Sequence, residues 1–309
     1  MGQSWEFVEV ARGLEFPEGP IAMPDGSLVV VELFGERLTR ILPDGTHRTI
    51  AEIPGGPNGA AVGPDGAFYL CNNGRTALRV EWEGVVLPGA FRPERYIGGR
   101  IQRVDPATGE VTDLYTECDG HPLRAPNDLV MDGHGGFYFT DLGIRDWNAR
   151  TSDLTGIYYA RCDGSEIREV VFPVESANGI GLSPDGNTLY WAETQSGRIF
   201  QRRIAAPGEV VKPAPLDPGL LCGLSGWQFL DSLAVDSEGW VCVATIFNGG
   251  ITAVSPDGRD VVHVPTDDLA TTNICFGGDD LRTAYITLSG TGRVVATQWP
   301  RPGLRLHHL

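Results

Sequence analysis

NGAAVGPDGAFYL at residues 58–70, NDLVMDGHGGFYF at 127–139 and NGIGLSPDGNTLY at 178–190 are three copies of one pattern. In each, a polar residue leads a short apolar run, a Gly-containing turn follows, and a run rich in aromatic and β-branched residues comes next. EGPIAMPDGSLVV (18–30) and DSLAVDSEGWVCV (231–243) repeat it, and NICFGGDDLRTAYI (273–286) is a looser copy. A Gly stands eight residues after each of the first five leading residues, at Gly26, Gly66, Gly135, Gly186 and Gly239; in the sixth copy Leu281 takes that place. The leading residues Glu18, Asn58, Asn127, Asn178, Asp231 and Asn273 follow one another at intervals of 40, 69, 51, 53 and 42.

Each copy reads as strand, tight turn, strand, because Asp-Gly turns suit hairpins and the runs after them favour pleated backbone. A second hairpin series interleaves with the first: RLTRILPDGTHRTI (37–50), RIQRVDPATGEVTDLY (100–115), IYYARCDGSEIREVV (157–171) and GITAVSPDGRDVVHV (250–264). No amphipathic helical pattern competes. Four strands per unit, repeated six times at 40 to 50 residues, predict an all-β chain: a six-bladed β-propeller of four-stranded antiparallel blades, one domain over 1–309. The sixth unit shows three strands, at 273–276, 282–287 and 292–299. The N-terminal run 5–11 is expected to supply its fourth and close the ring. Residues 74–99 account for the 69-residue interval and are expected to form an insertion or lid.

Composition narrows the partners. The 309 residues carry 24 basic and 40 acidic side chains, a net charge of −16. That argues against a nucleic-acid backbone or an anionic membrane surface. No apolar run approaches the roughly 20 residues of a membrane span. MGQSWEFVEV lacks a basic and apolar leader, so a cytoplasmic location is expected. The 41 Gly and 22 Pro suit a turn-rich fold. The six cysteines, at 71, 118, 162, 222, 242 and 275, have neither C-x-x-C nor finger spacing and read as small buried hydrophobes.

In a propeller the first strand of each blade lines the central channel, so the six leading residues face a common axis. All six bear oxygen. Two carboxylates and four amides make a hard-oxygen cage suited to Ca²⁺, Mg²⁺ or Mn²⁺. A single ion rarely reaches all six blades, so Asn58 and Asn273 are expected to line the site rather than bind. The competing reading is that Asn and Asp before strands only satisfy local backbone groups.

FPEGP (16–20), RAPNDLV (124–130), SANGIGLSPDGNTLYWAET (176–194), the Asp231 segment and TTNICFGGDDLRTAYIT (271–287) resemble the senescence-marker-protein, gluconolactonase and luciferin-regenerating family. The likeness runs from about residue 14 to 300, in register. It implies a six-bladed propeller that hydrolyses a sugar lactone with one divalent cation in its channel. Calcium is the first choice, with Zn²⁺, Mn²⁺, Mg²⁺ or Fe²⁺ as alternatives. Diisopropylfluorophosphatase and the paraoxonases are more distant relatives with a similar metal site. By the resemblance Glu18, Asn178 and Asp231 are metal ligands. Asn127 completes the metal shell or binds substrate, and Asp128 supports its neighbours. Some members have an arginine two residues before the counterpart of Asn127; here Ala125 stands there, with Arg124 adjacent. Arg124, His121 and Tyr96 are the remaining substrate-contact candidates.

A Ser-His-Asp triad is not indicated, since no G-x-S-x-G occurs and the histidines lie in turns or at the tail. Metal-assisted hydrolysis needs less: an ion to polarise the carbonyl and a carboxylate, Asp231, to accept a proton from water. An ordinary aspartate is a weak base at about 3.9, so hydroxide generated at the ion is the alternative nucleophile. The loops 74–99, with Trp82, Phe91 and Tyr96, and 143–155, with Arg145 and Trp147, are expected to shape the mouth. Two further readings stand beside the sugar lactonase: another ester or a phosphotriester at the same site, and a non-catalytic calcium-binding propeller. The tail GLRLHHL (303–309) suggests no role.

Overall fold

The computed structural model describes residues 5–309. Six antiparallel sheets succeed one another around an axis, five of them four-stranded and the fourth with a short extra strand, Glu209–Val210, beside its four. Blade 1 is Pro17–Ala22, Leu28–Glu32, Arg37–Ile41 and His47–Glu52. Blade 2 is Pro57–Val62, Phe68–Asn72, Arg100–Val104 and Val111–Tyr115, and blade 3 is Pro126–Met131, Gly136–Asp141, Thr155–Arg161 and Ile167–Val174. Blade 4 is Ala177–Leu182, Thr188–Glu193, Arg198–Ala206 and Leu220–Gly223, and blade 5 is Phe229–Val235, Val241–Ile246, Gly250–Val254 and Val261–Pro265. Blade 6 takes Thr271–Gly277, Thr283–Leu288 and Arg293–Gln298 from the end of the chain. Its outer strand is Val8–Arg12, paired antiparallel with Arg293–Gln298, so the ring closes as the strand count required. Among the described residues the only helical pieces are 3₁₀ turns at Pro93–Arg95 and Ser289–Thr291. No helix is long and apolar enough to cross a membrane.

Successive strand residues point to opposite faces of a blade, and both faces are covered by the neighbouring blades. The strands therefore read as nearly continuous apolar runs, such as Leu28–Glu32, buried throughout. The core divides accordingly into six inter-blade layers. Tyr69, Ile101, Phe137 and Phe139 pack between blades 2 and 3. Ala11, Leu14 and Val294 meet Leu28, Val30 and Ile41 between blades 6 and 1, which makes ring closure an apolar contact as well as a hydrogen-bonded one. All six cysteines are free; five are buried and Cys222 is half-buried.

The six inner strands share a feature absent from the repeat as read in the sequence. Each has a register irregularity beside its leading residue: Glu18/Ile21, Pro57/Ala60, Pro126/Leu129, Ala177/Ile180, Leu230/Leu233 and Thr271/Asn273. A bulge leaves a residue outside the ladder and re-aims its side chain. It turns the leading residue out of the blade and toward the axis.

Small residues beside the bulges let the inner strands close up. A Cβ on Gly179 would stand 2.5 Å from Leu233 N and 2.7 Å from Asp231 O in blade 5. One on Gly59 would stand 2.6 Å from Asp128 Cα in blade 3. Gly179→Ala must push blades 4 and 5 apart at the axis, and overpacking of this kind costs about 1–3 kcal/mol. A urea unfolding midpoint lowered accordingly, with an unchanged slope, is the expected result; an unmoved midpoint would show that the strands are not held this closely.

The two ends of the channel differ. The connections into the inner strands and those between second and third strands lie on one face, the mouth. They include 74–99 and 142–154. The opposite face is covered by the tail. Arg301 pairs with buried Asp236 and lies over the Trp240 ring at 4.1 Å. Leu304 N donates to Val235 O, and Leu309 packs against the layer between blades 1 and 2. Residues 303–309, which suggested no role in the sequence, thus floor the channel.

Candidate active site

The bulges bring the leading residues together. Glu18, Asn58, Asn127, Asn178, Asp231 and Asn273 are all buried, the most exposed at 8%. Three of the amide oxygens, Oδ1 of Asn58, Asn127 and Asn178, are buried without any hydrogen-bond partner. Orphaned buried acceptors are rare because each forfeits the hydrogen bond it made in water. Three around one axis mark a place where something electropositive belongs. Asn273 differs: its Nδ2 donates to Glu18 Oε2 at 3.1 Å and its Oδ1 accepts from Ile274 N at 2.8 Å. It orients Glu18, and its oxygen is already engaged by one donor. Asn58, expected only to line the site, presents the same orphaned oxygen as Asn127 and Asn178.

The carboxylates are stressed in the same sense. Burial pushes the Glu18 carboxyl up to about 7, although Thr272, Asn273 and Gly19 N–H donate to it. Burial, then the Glu18 charge, pushes Asp231 well above the usual carboxylate range; the Asn178 amide and Ser232 N–H pull it back in part. Asp128 is pushed up to about 7, chiefly by burial and with Glu18 adding; Leu129 N–H donates to it, and Ser232 and the Ile180 backbone lie beside it. Among the described residues no Lys, Arg or His forms an ion pair with any of the three. Nor do any three His, Cys, Asp or Glu side chains group closely enough to hold an ion by themselves. An ion here would depend on the amide oxygens, and those are the oxygens left without partners. Glu18, Asn127, Asn178 and Asp231, with Asn58 within the same ring, fit a hard divalent cation.

Backbone links hold the ring. Thr140 Oγ1 donates to Asn178 O at 2.5 Å and accepts from Asp128 N at 3.2 Å, tying blade 3 to blade 4. Asn178 Nδ2 donates to Thr194 Oγ1 at 3.1 Å, which aims Oδ1 the other way. Below the ring a cavity of about 170 Å³ runs down the axis from Gly19, Asp128 and Asn273 to Leu304, Leu306 and Leu309.

The substrate-contact candidates separate. Tyr96 Oη donates to Arg124 O at 2.6 Å and accepts from Gly99 N at 3.0 Å, and its ring lies 5.7 Å from the Arg124 guanidinium. Arg124 Nε is held by Asp153 at 2.7 Å. Tyr96 and Arg124 are thus brought together at the mouth over blade 3, with the arginine's charge already matched. His121 is exposed, in a two-residue pair with Cys118, and lies near Glu169 of the outer strand of blade 3; the fold does not bring it to the axis. The insertion travels further than its length suggested. Its strand pair, Arg79–Trp82 and Val85–Pro88, lays Val85, Val86 and Leu87 against Phe16, Leu33 and Ala270. A Cβ on Gly290 would touch Val85 at 2.5 Å. The insertion leaves blade 2, crosses blade 1 to blade 6, and returns to blade 3 at Tyr96. Sequence reading also passed over an aromatic cluster at the mouth of blade 5, Trp227, Phe229 and Phe247. The signal was present as GWQF at 226–229, two aromatic residues within four at the entry to the inner strand.

The fold and site define a six-bladed propeller with a buried, oxygen-lined axial centre. Residues 16–290 match the family described as SMP-30/Gluconolactonase/LRE-like region, and the chain belongs to that family. Among curated proteins it is 26% identical over 255 residues to lactonase drp35 of Staphylococcus epidermidis, covering 82% of this chain and 70% of that one. It is 25% identical over 261 residues to lactonase drp35 of Staphylococcus aureus, covering 83% and 72%. Among solved structures it is similar to a gluconolactonase from Xanthomonas campestris, with TM-score 0.75 and 22% identity over 96% of this chain and 90% of that one. It is also similar to regucalcin, a calcium-binding protein from Agrobacterium tumefaciens, with TM-score 0.70 and 18% identity over 95% of each.

Proposed function

We propose that this protein opens a lactone to its hydroxy acid, using a divalent cation held by Glu18, Asn127, Asn178 and Asp231. The observation that carries the reading is the ring of orphaned amide oxygens around two buried, uncompensated carboxylates, in a chain whose curated relatives are named lactonases. When bound, the cation supplies Lewis-acid polarisation of the lactone carbonyl and calcium is the first candidate. In the reaction water adds to the carbonyl carbon, the ring C–O bond breaks, the departing oxygen takes a proton, and the new acid ionises.

The chain's own groups divide that work. Asp231 accepts the proton of the attacking water, and burial raises its proton affinity above that of an ordinary aspartate. Glu18, held by Asn273 Nδ2 and Gly19 N–H, serves as a ligand. Asn127 and Asn178 orient with their free oxygens, and Asp128 sits beneath them against Ser232. The insertion acts as a lid that keeps bulk water from the mouth between blades 6 and 3.

The test is proton release in a pH-stat against a panel of aldonolactones, the class implied by the resemblance, and of unsubstituted five- and six-membered lactones. Chelator should abolish release and one restored cation should return it. Release at the spontaneous rate with every cation would refute the lactonase reading and move weight to other esters, then to a calcium-binding propeller.

A further inference from the structure

Trp227, Phe229 and Phe247 have no part in holding a cation, yet they stand beside the group assigned as the base. Phe229 opens the inner strand of blade 5, two residues before Asp231, a distance of roughly 7 Å along a strand. Trp227 lies in the connection that enters that strand. Phe247 directly follows the second strand. The rings form one cluster, with centroid separations of 5.3 Å for Trp227–Phe229, 5.2 Å for Phe229–Phe247 and 6.0 Å for Trp227–Phe247. Despite two ring neighbours Trp227 remains 75% exposed. Phe247 is held at φ 69°, a region a bulky residue adopts only when its surroundings impose it. Its N–H donates to Leu269 O at 2.7 Å. Leu269 is itself exposed and adjoins Ala270, which the insertion's Val85–Leu87 cover. Leu269 thus links the insertion's apolar contact to the aromatic cluster.

On the opposite wall, over blade 3, the charged and aromatic groups are already engaged with one another. Arg124 is matched by Asp153 and stacked on Tyr96. Ala125 is fully buried, and His121 lies near Glu169 of the outer strand of blade 3. We propose that Trp227, Phe229 and Phe247 form the subsite for a planar apolar substituent, so that the substrate is an aryl-substituted lactone rather than an aldonolactone. This inference rests on the lactonase reading of the channel. The substituent stacks on Trp227 while the lactone carbonyl lies at the axial centre.

The experiment compares kcat/KM of the cation-loaded protein for γ-phenyl-γ-butyrolactone, γ-butyrolactone and gluconolactone. The phenyl lactone is expected to lead the unsubstituted one by about tenfold or more, the usual return for filling an apolar pocket. Trp227→Ala should erase most of that ratio through KM, and Trp227→Phe should retain it. The proposal is overturned if gluconolactone leads in the wild type, or if Trp227→Ala lowers all three substrates equally. It is also overturned if the variant changes oligomeric state by light scattering while the ratio stays, which would make the cluster a contact between copies. Failure to turn over any lactone would sink the lactonase reading instead. Tryptophan quenching by γ-hydroxy-γ-phenylbutyrate then decides the subsite: saturable quenching lost in Trp227→Ala upholds it, and none in the wild type overturns it.

Discussion

Asp231→Asn is expected to lower turnover by about 10²–10⁴-fold, the range contributed by a positioned general base. The fold should persist. Asp231 Oδ1 accepts from Ser232 N at 3.1 Å, and an amide oxygen in the same place can accept the same bond. The bulge between Leu230 and Leu233 that aims the side chain is a backbone feature and does not depend on its charge. Removing the charge also removes repulsion between Asp231 and Glu18, so the cation-free variant should be at least as stable to heat as the cation-free wild type. Cation binding should weaken but survive, because Glu18 and the amide oxygens remain. The checks are kcat at saturating cation, a thermal midpoint, and titration calorimetry with the metal. Unchanged turnover in the loaded variant would remove Asp231 from the role of base and leave hydroxide formed at the ion as the nucleophile.

The second large effect is linkage between cation and protons. Glu18 ionises at about 7 in the folded, cation-free protein and near the ordinary glutamate value when unfolded. Between those values the folded state binds more protons than the unfolded one, so stability falls as pH rises. The elevation of Glu18 alone corresponds to about 3 kcal/mol at pH 8 by the conversion of 1.36 kcal/mol per unit. Asp128 and Asp231 shift in the same direction. The cation-free protein should therefore melt at a higher temperature near pH 5 than near pH 8. Cation ligands must be deprotonated, so the order reverses in the loaded protein, and binding should release protons below about pH 7. Calorimetry in two buffers of different ionisation enthalpy counts those protons. A midpoint without pH dependence from 5 to 8, with no proton release on cation binding, would show that these carboxylates are not stressed as described.

How much of this was legible before folding depends on the range over which each feature is encoded. The six blades were visible because a blade is built from neighbours. A Gly-containing turn about eight residues after a leading oxygen, with apolar runs on either side, encodes a hairpin locally. Closure by 5–11 followed from a strand missing at one end, and the structure places Val8–Arg12 there. The outer half of blade 4 was hidden, because Pro213, Pro215 and Pro218 interrupt the chain between Arg198–Ala206 and Leu220–Gly223.

The identity of the six inner residues could likewise be read off, since they share one phase of the repeat. Their inequality could not. Asn273 turns its Nδ2 to Glu18 of the neighbouring blade and spends its oxygen on Ile274 N–H, while the oxygens of Asn58, Asn127 and Asn178 have no partner; that difference of side-chain orientation is set by the packed blades. The reach of Val85 to Gly290, the pairing of Arg124 with Asp153, the aromatic cluster at blade 5 and the floor made by 303–309 are contacts between residues far apart in the chain. Repetition and turn chemistry specify each blade locally and so stand written in the chain. Burial, charge and satisfaction at the axis are sums over six blades, and they acquire values only when the ring has closed.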